Sequence, residues 1–221
     1  PDAPIGEALV TAGEATIEAG DGEGRTIQDL VDADPAARLG ARAQEAVSGR
    51  ALFPLLVKLI DAAENLSIQV HPDDEGARAL DRLGKTEAWY VLKAEPGARI
   101  YIGLEKGADF GDFMTLARKL DGSSGQALRA IEAQPGSSVV IPAGTVHALG
   151  AGVMVYEIQQ PSDVTFRLDD WGRVVAQGNP REMHLEQGQE ASRPELRPGW
   201  IAPVDVSVGM VSRHLLTACR Y

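Results

Sequence analysis

Histidine, a side chain that suits metal and proton chemistry, occurs only four times in 221 residues. His71 lies two residues after Gln69 in a stretch of alternating apolar and polar residues. His147 follows an apolar stretch and a Pro-Ala-Gly turn. Both positions suit a polar side chain presented at the open end of a β-barrel. His184, in a polar stretch, and His214, in an ordinary amphipathic strand, are interpreted as structural or surface residues.

Neutral imidazole nitrogens and carboxylate oxygens are ligands for zinc and similar divalent ions. Glu87 is the best carboxylate candidate, since it opens a predicted strand and follows Lys85 by two positions. Two His and one Glu form a familiar catalytic set that leaves coordination positions open for water or substrate. The single cysteine, Cys219, excludes an internal disulfide and a cysteine-based cluster, so any zinc must be held by nitrogen and oxygen ligands.

The elements that would position these residues are mostly short strands. The stretch from Leu66 to His71 alternates with period two, and strand-like stretches also surround Glu87 and follow His147. Helices are predicted within residues 26–47 and over 75–83, 110–120 and 126–133, whereas 178–198 is predicted as a loop or linker. The 24 Gly and 13 Pro residues favour short strands and turns over a helical bundle. The sequence therefore predicts a mainly β fold with inserted α-helices.

The composition bounds the class of protein. Hydrophobic residues make up 44% of the chain and charged residues 24%, as in soluble globular proteins. The net charge of −11 argues against a nucleic-acid partner, because phosphate backbones are bound by dense Lys and Arg. Neither a transmembrane helix, a membrane partner nor a signal peptide is predicted. One cysteine fits a reducing compartment, so we expect a cytoplasmic protein, and the oligomeric state is left open.

The most specific motif runs from Gly136 through Pro142 and Gly144 to His147. It resembles the second motif of the cupin superfamily, except that Ala151 stands where Asn is usual. Further motifs occur in a fixed order, at residues 67–73, 84–87, 141–148, 157 and 162–173. Together they resemble the type I phosphomannose isomerases, particularly the short bacterial form, over about residues 50–173.

This resemblance implies a cupin-type jelly-roll β-barrel with inserted α-helices and the start of a second, cupin-like half. We expect a catalytic barrel over residues 1–175, a loop or linker over 176–198, and the beginning of a C-terminal β half over 199–221. The length of 221 residues is short for this family, so we expect a truncated chain. Ala8 also stands where the family's early Gly-Glu-Ser-Trp segment has Ser.

The resemblance also implies the roles of individual residues by their position in the motifs. One Zn²⁺ per chain would be bound by four residues: Gln69, His71, Glu87 and His147. Arg167 and Lys85 would be catalytic. The substrate would be bound by Ser67, Lys85, Glu157, Asp163 and Arg167.

The activity implied is the interconversion of mannose 6-phosphate and fructose 6-phosphate, with the sugar phosphate as the small-molecule partner. The reaction moves a proton between C2 and C1 through an enediol or enediolate, whose negative charge a divalent ion and a fixed guanidinium stabilise. The general base is left open between zinc-bound water, Glu157 and another carboxylate. Lys85, Arg167 and Arg173 are the local cations available for the phosphate.

Two other functions stay open. A cupin-type metal oxidoreductase using iron could bind its metal through His71, Glu87 and His147. A non-catalytic sugar-binding or regulatory cupin would bind metal or sugar without turnover. Lys85, Arg167 and the amide ligand Gln69 favour the isomerase.

Overall fold

The computed structural model describes residues 6–173 and 181–203. These residues form eleven strands: β1 (Glu7–Thr11), β2 (Leu56–Ala62), β3 (Ile68–Val70), β4 (Glu87–Ala94), β5 (Arg99–Leu104), β6 (Leu128–Glu132), β7 (Ser138–Ile141), β8 (His147–Leu149), β9 (Val153–Gln159), β10 (Phe166–Asp169) and β11 (Trp200–Ile201). They also form five α-helices: α1 (Ile27–Ala33), α2 (Pro35–Ala46), α3 (Asp74–Ala77), α4 (Phe110–Ala117) and α5 (Leu185–Ala191).

The strands form two antiparallel sheets. The first has the order β1-β2-β9-β4-β7-β11 and the second the order β10-β3-β8-β5-β6. Buried apolar side chains from both sheets form one core between them, including Trp89 and Val155 from the first sheet and Ile100 and Leu149 from the second. The predicted mainly β fold is therefore confirmed. Among the described residues the strands form two facing sheets and not one closed, hydrogen-bonded barrel.

The first two helices begin as their sequences predict. Thr26 caps α1 through a reciprocal pair of hydrogen bonds with Asp29, and the side chain of Asp34 caps α2, whose first residue is Pro35. Such caps satisfy backbone N–H groups that have no partner within the helix. The strands predicted at Leu66–His71, at Glu87 and after His147 are also present, as β3, β4 and β8.

Two predicted helices are wrong or too long. Residues 126–133 contain the end of a 3₁₀ turn and then β6, because Leu128 and Ile131 pair with Leu104 and Ile100 of β5. Pairing with a neighbouring strand overrides a local helical preference. Over residues 75–83, the short α3 gives way to a 3₁₀ turn, which ends at Asp81 in the left-handed conformation with φ of 53°.

The helix α5 lies inside the segment predicted as a loop or linker, so that prediction is wrong for residues 185–191. Its sequence carries few apolar residues, and tertiary packing stabilises it against the outer face of the second sheet. A Cβ at Gly188 would lie 2.4 Å from a methyl carbon of Leu168, so the close approach of helix and sheet requires glycine here. Phe113 and Met114 of α4 pack on the same face.

The C-terminal predictions fall mostly outside the described residues. His214, Cys219 and most of the predicted C-terminal β half lie there, and the division into three segments stays a prediction. The strand β11 joins the edge of the first sheet by pairing with β7. In the described part of the chain, no helix is long and apolar enough to cross a membrane.

Gly150, directly after β8, provides a test of the close packing that holds His147. A Cβ at Gly150 would lie 2.1 Å from the carbonyl oxygen of Arg99. Gly150→Ala should therefore lower the free energy of unfolding by about 1–3 kcal/mol, the usual cost of overpacking. The control is Gly199→Ala, because no atom lies within 4 Å of a Cβ at that position. Urea unfolding measures both, and equal stability of the two variants would contradict the packing described here.

Candidate metal and substrate site

The candidate metal ligands come from both sheets. On the second sheet, Gln69 of β3 pairs with His147 of β8 on one side and with Arg167 of β10 on the other. Directly paired residues of antiparallel strands project to the same face, so these three side chains form a row. Glu87 opens β4 of the first sheet, and His71 directly follows β3. The site therefore lies where the two sheets face each other.

His71, Glu87 and His147 form a buried cluster. One ligand atom of each residue lies within 4.8 Å of the ligand atoms of the other two. The Nε2 atoms of His71 and His147 lie 3.3 and 3.4 Å from the carboxylate oxygens of Glu87. All three residues are at most 2% exposed. Burying three ionisable groups around one point is unfavourable unless they bind one another or a cation.

Each imidazole is oriented by a backbone carbonyl group. His71 Nδ1 donates to the oxygen of Val164 at 2.8 Å, and His147 Nδ1 donates to the oxygen of Thr145 at 2.9 Å. A carbonyl oxygen only accepts, so both Nδ1 atoms carry hydrogen, and Nε2 of each ring faces Glu87. Burial lowers the pKa of His71 to about 4 despite the opposing effect of Glu87, so this imidazole is neutral at pH 7. Neutral imidazole is the form that binds a metal.

Glu87 is ionised although it is buried. Burial alone would raise its pKa, but the charge of Lys85 holds the pKa well below its usual range. These contacts are close but poorly aligned, and within the described residues neither carboxylate oxygen has a hydrogen-bond partner. A buried carboxylate faced by the Nε2 atoms of two imidazoles offers the oxygen and nitrogen ligands of a zinc ion or a similar divalent cation.

Gln69 lies beside this cluster, as predicted. Its Nε2 is 3.4 Å from Nε2 of His147, and its Oε1 accepts a hydrogen bond from Ser67 at 3.3 Å. The amide nitrogen is therefore the atom nearest the cluster. A rotation of the amide by 180° would exchange its nitrogen and oxygen and turn a metal-binding oxygen toward His147.

Lys85, predicted to be catalytic and to bind substrate, directly contacts two of the candidate metal ligands. Its Nζ is 2.8 Å from Glu87 Oε1 and 3.5 Å from His71 Nε2. Burial opposes its charge, but Glu87 and Glu157 together raise its pKa above the usual range. The ammonium group thus balances the buried carboxylate charge.

A cleft of about 460 Å³ opens onto Glu87. The five residues predicted to bind substrate all line it: Ser67, Lys85, Glu157, Asp163 and Arg167. Thr165 lines the cleft beside Arg167, whereas Phe166 between them packs against the apolar cluster under the helices. This alternation of side chains is that of an extended strand.

Glu157 belongs to a second row of paired residues, on the first sheet. It pairs with Lys58 of β2 and with Trp89 of β4. Trp89 Nε1 donates to Glu157 Oε2 at 2.7 Å. Burial, reinforced by the negative charge of Glu87, raises the pKa of Glu157 to about 7. This carboxyl group can therefore exchange a proton near neutral pH.

Arg167 and Asp163 lie toward the mouth of the cleft. The Nη1 atom of Arg167 donates to the backbone oxygen of Glu182 at 2.8 Å, and the backbone N–H of His184 donates to the backbone oxygen of Arg167 at 2.8 Å. His184 thus supports the backbone of Arg167, in keeping with its structural interpretation. Asp163 is exposed, and its carboxylate lies 3.4 Å from Nε of Arg82.

One cleft residue, Arg181, was missed by the sequence reasoning. It follows the predicted domain boundary and belongs to the segment interpreted as a linker, and no periodicity connects it with the other site residues. Arg173, suggested as a phosphate ligand, instead contacts Asp170 at 2.5 Å and Glu64 at 3.5 Å and is not part of the cleft wall.

A larger cleft, of about 950 Å³, shares Glu7, Ile60 and Leu66 with the first. Its other charged side chains, including Asp61 and Lys93, are exposed. Because the buried ionisable groups border the smaller cleft, the chemistry is assigned to the smaller one.

Comparison with known proteins shows which proteins the chain resembles. Residues 1–96 match the family model described as phosphomannose isomerase type I, catalytic domain. The mannose-6-phosphate isomerase ManA of Bacillus subtilis is 41% identical over 140 residues, which cover 62% of this chain and 44% of the relative. The chain thus spans less than half the length of this curated relative.

The fold is similar to that of solved mannose 6-phosphate isomerases. A crystal structure of the mannose 6-phosphate isomerase from Bacillus subtilis has a TM-score of 0.74 and 32% sequence identity, over 92% of this chain and 64% of that chain. A zinc-bound mannose 6-phosphate isomerase shares the fold with a TM-score of 0.60 at 17% identity, over 92% of this chain and 71% of that chain. Residues 1–96 therefore match the type I phosphomannose isomerase catalytic domain, and the family resemblance carried by the sequence motifs is confirmed.

Proposed function

We propose that this chain carries the active site of a zinc-dependent mannose-6-phosphate isomerase, which interconverts mannose 6-phosphate and fructose 6-phosphate. One observation carries the proposal: a single cleft is bordered by the metal-ligand cluster around Glu87 and by the guanidinium group of Arg167. These are the two kinds of group that stabilise negative charge on a sugar oxygen. The activities named for the relatives support the same reaction.

We assign His71, Glu87 and His147 as ligands of one zinc ion per chain, with Gln69 as the fourth. Two observations support this assignment. Both oxygens of Glu87 are buried without a hydrogen-bond partner among the described residues, and backbone carbonyl groups orient both imidazoles. The zinc-bound state of a protein with the same fold supports the choice of metal. Zinc, when bound, would polarise sugar oxygens as a Lewis acid.

The reaction balances within the sugar and needs no redox partner. A base takes the proton from C2 of the open-chain aldose, and the electron pair forms a C1–C2 double bond while negative charge develops on O1. The O2 proton moves to O1, and the base returns its proton to C1, which gives the ketose with a carbonyl group at C2 and a hydroxyl group at C1. The guanidinium of Arg167 donates hydrogen bonds to the charged oxygen, which strengthens as the charge develops.

We assign Glu157 as the base. It lines the cleft, and its pKa of about 7 suits proton abstraction near neutral pH. Lys85 keeps Glu87 ionised and contributes a cation to the cleft wall. Ser67 and Asp163 offer hydrogen-bonding groups to the sugar hydroxyls from the inner wall and the rim.

Two alternative functions would be revealed by the measurements of zinc affinity and turnover described below. An iron-dependent oxidoreductase could use the same His–Glu–His ligands, and a non-catalytic sugar-binding protein would keep the metal without turnover. Neither is favoured by Lys85 and Arg167, which supply positive charge where a sugar phosphate needs it.

The metal assignment predicts a difference between two histidines. His147→Ala removes a ligand, so zinc affinity should fall by more than the roughly 10- to 100-fold that loss of an outer hydrogen-bond partner costs. The matched control, His184→Ala, lies outside the ligand cluster and should keep the zinc affinity of the wild type. Competition with a chromophoric chelator measures both. Equal zinc affinity of the two variants would contradict the assignment.

The catalytic assignment predicts turnover by the wild type and its loss in Arg167→Ala. The zinc-loaded chain should convert mannose 6-phosphate to fructose 6-phosphate, followed in a coupled assay. Arg167→Ala should bind zinc normally but lose about 100- to 1,000-fold in kcat, as when a charge-stabilising donor is removed.

Arg42→Ala is the control for that experiment, because Arg42 is exposed on α2 and should be replaceable without loss of rate. A folded, zinc-loaded wild type without turnover would overturn the proposed function. Wild-type speed in Arg167→Ala would overturn the role of Arg167 alone.

A further inference from the structure

The cations of the cleft are not equally balanced by neighbouring carboxylates. Lys58 pairs with Glu7 at 2.9 Å, and Lys85 pairs with Glu87 at 2.8 Å. Each of these two lysines therefore has a carboxylate of its own. The other two cations of the cleft wall, Arg167 and Arg181, lie near Asp170. Here the guanidinium groups outnumber the buried carboxylate that they share.

Asp170 is one buried carboxylate shared by two arginines. Arg181 forms a fork on it, with Nε donating to Oδ2 at 2.7 Å and Nη2 donating to Oδ1. Arg173 Nη2 contacts the same Oδ1 at 2.5 Å. Asp170 is 2% exposed, and although burial opposes its charge, the two guanidinium groups hold its pKa below the usual range.

Arg167 adds a third guanidinium to this region. Within residues 6–173 and 181–203, no carboxylate lies within salt-bridge distance of it, and its buried Nε has no hydrogen-bond partner. Burial lowers the pKa of Arg167, and the positive charge of the nearby Arg181 lowers it further. Glu64 pairs with Arg173 and Glu182 lies near Arg167, so this positive charge is partly balanced. In the cleft wall, Arg167 and Arg181 lie near each other, with Asp170 as a buried carboxylate close to both.

We propose that Arg181, aimed by Asp170, binds the phosphate group of the substrate and determines the preference for phosphorylated sugars, an inference that rests on the proposed function. The fork on Asp170 uses Nε and Nη2 of Arg181. In the part of the chain described, its Nη1 makes no hydrogen bond and is left for a ligand. Guanidinium groups bind phosphate through charge-assisted hydrogen bonds of fixed geometry.

This assignment separates two roles that one cation cannot perform together. Arg167 is held by the backbone oxygen of Glu182 and lies in one row with Gln69 and His147, so it serves the reacting oxygens. Arg181 directly precedes Glu182 in the sequence and binds the phosphate group at the other end of the sugar. Asp170 is a positioning residue, since it contacts Arg181 and is not part of the cleft wall.

The test compares Arg181→Gln with Arg118→Gln. Arg118 is also ion-paired, with Glu186 at 3.3 Å, but it lies outside the cleft. Arg181→Gln should raise KM for mannose 6-phosphate and Kd for inorganic phosphate by about 10- to 100-fold, the loss of a hydrogen bond to a charged group. Its kcat and zinc affinity should stay near those of the wild type, since uniform binding is what is lost. Arg118→Gln should change none of these quantities.

Titration calorimetry with inorganic phosphate distinguishes this proposal from the proposed function. A wild type that binds phosphate through Arg181 without isomerase turnover would overturn the function and keep the anion site. Wild-type phosphate affinity in Arg181→Gln, or no phosphate binding by the wild type, would overturn the anion site. If Arg181→Gln does not fold, Arg181→Lys keeps the charge without the fork and should show a smaller rise in both KM and Kd; unchanged values in that variant would overturn the proposal.

Discussion

The ionised, buried carboxylate of Glu87 is the constraint on which the site depends. A charge that is 2% exposed persists only where positive charge or metal compensates it, because removal of a carboxylate from water costs several kcal/mol. Lys85 lies 2.8 Å from the Glu87 carboxylate, and the imidazoles of His71 and His147 lie 3.3 and 3.4 Å from it. Lys85 lies just before β4 of the first sheet, whereas His71 directly follows β3 and His147 lies in β8 of the second, so the fold must bring both sheets together to assemble this cluster.

Hydrogen bonds to the backbone connect the residues around Glu87 with the other residues of the cleft. His71 is tied to the carbonyl oxygen of Val164, two residues before the start of β10, and β10 carries Arg167. The backbone of Arg167 is in turn paired with His184 at the start of α5. The metal cluster, the guanidinium group and the covering helix are therefore linked in one chain of contacts. A cleft built this way holds its polar groups in place before substrate binds, which is what preorganised charge stabilisation requires.

Sequence reasoning found the parts of the site that repeat a local pattern. The alternation from Leu66 to His71 and the turn before His147 place those side chains on strands, and the structure contains both strands. Sequence reasoning failed where contacts between distant residues decide the conformation. Within residues 126–133 a strand forms because β5 offers a partner. The helix α5 forms because the second sheet covers its apolar face. Arg181 was missed for the same reason, since only the folded chain brings it to Asp170 and the cleft.

The central claim is that His71, Glu87 and His147 hold one metal ion at the inner end of the cleft. Crystals of the zinc-loaded protein, measured on both sides of the zinc absorption edge, test it most directly. The account predicts one anomalous peak per chain, at about 2.0–2.2 Å from Nε2 of both histidines and from a Glu87 oxygen. A zinc peak elsewhere, or none at this cluster in zinc-loaded crystals, would contradict it.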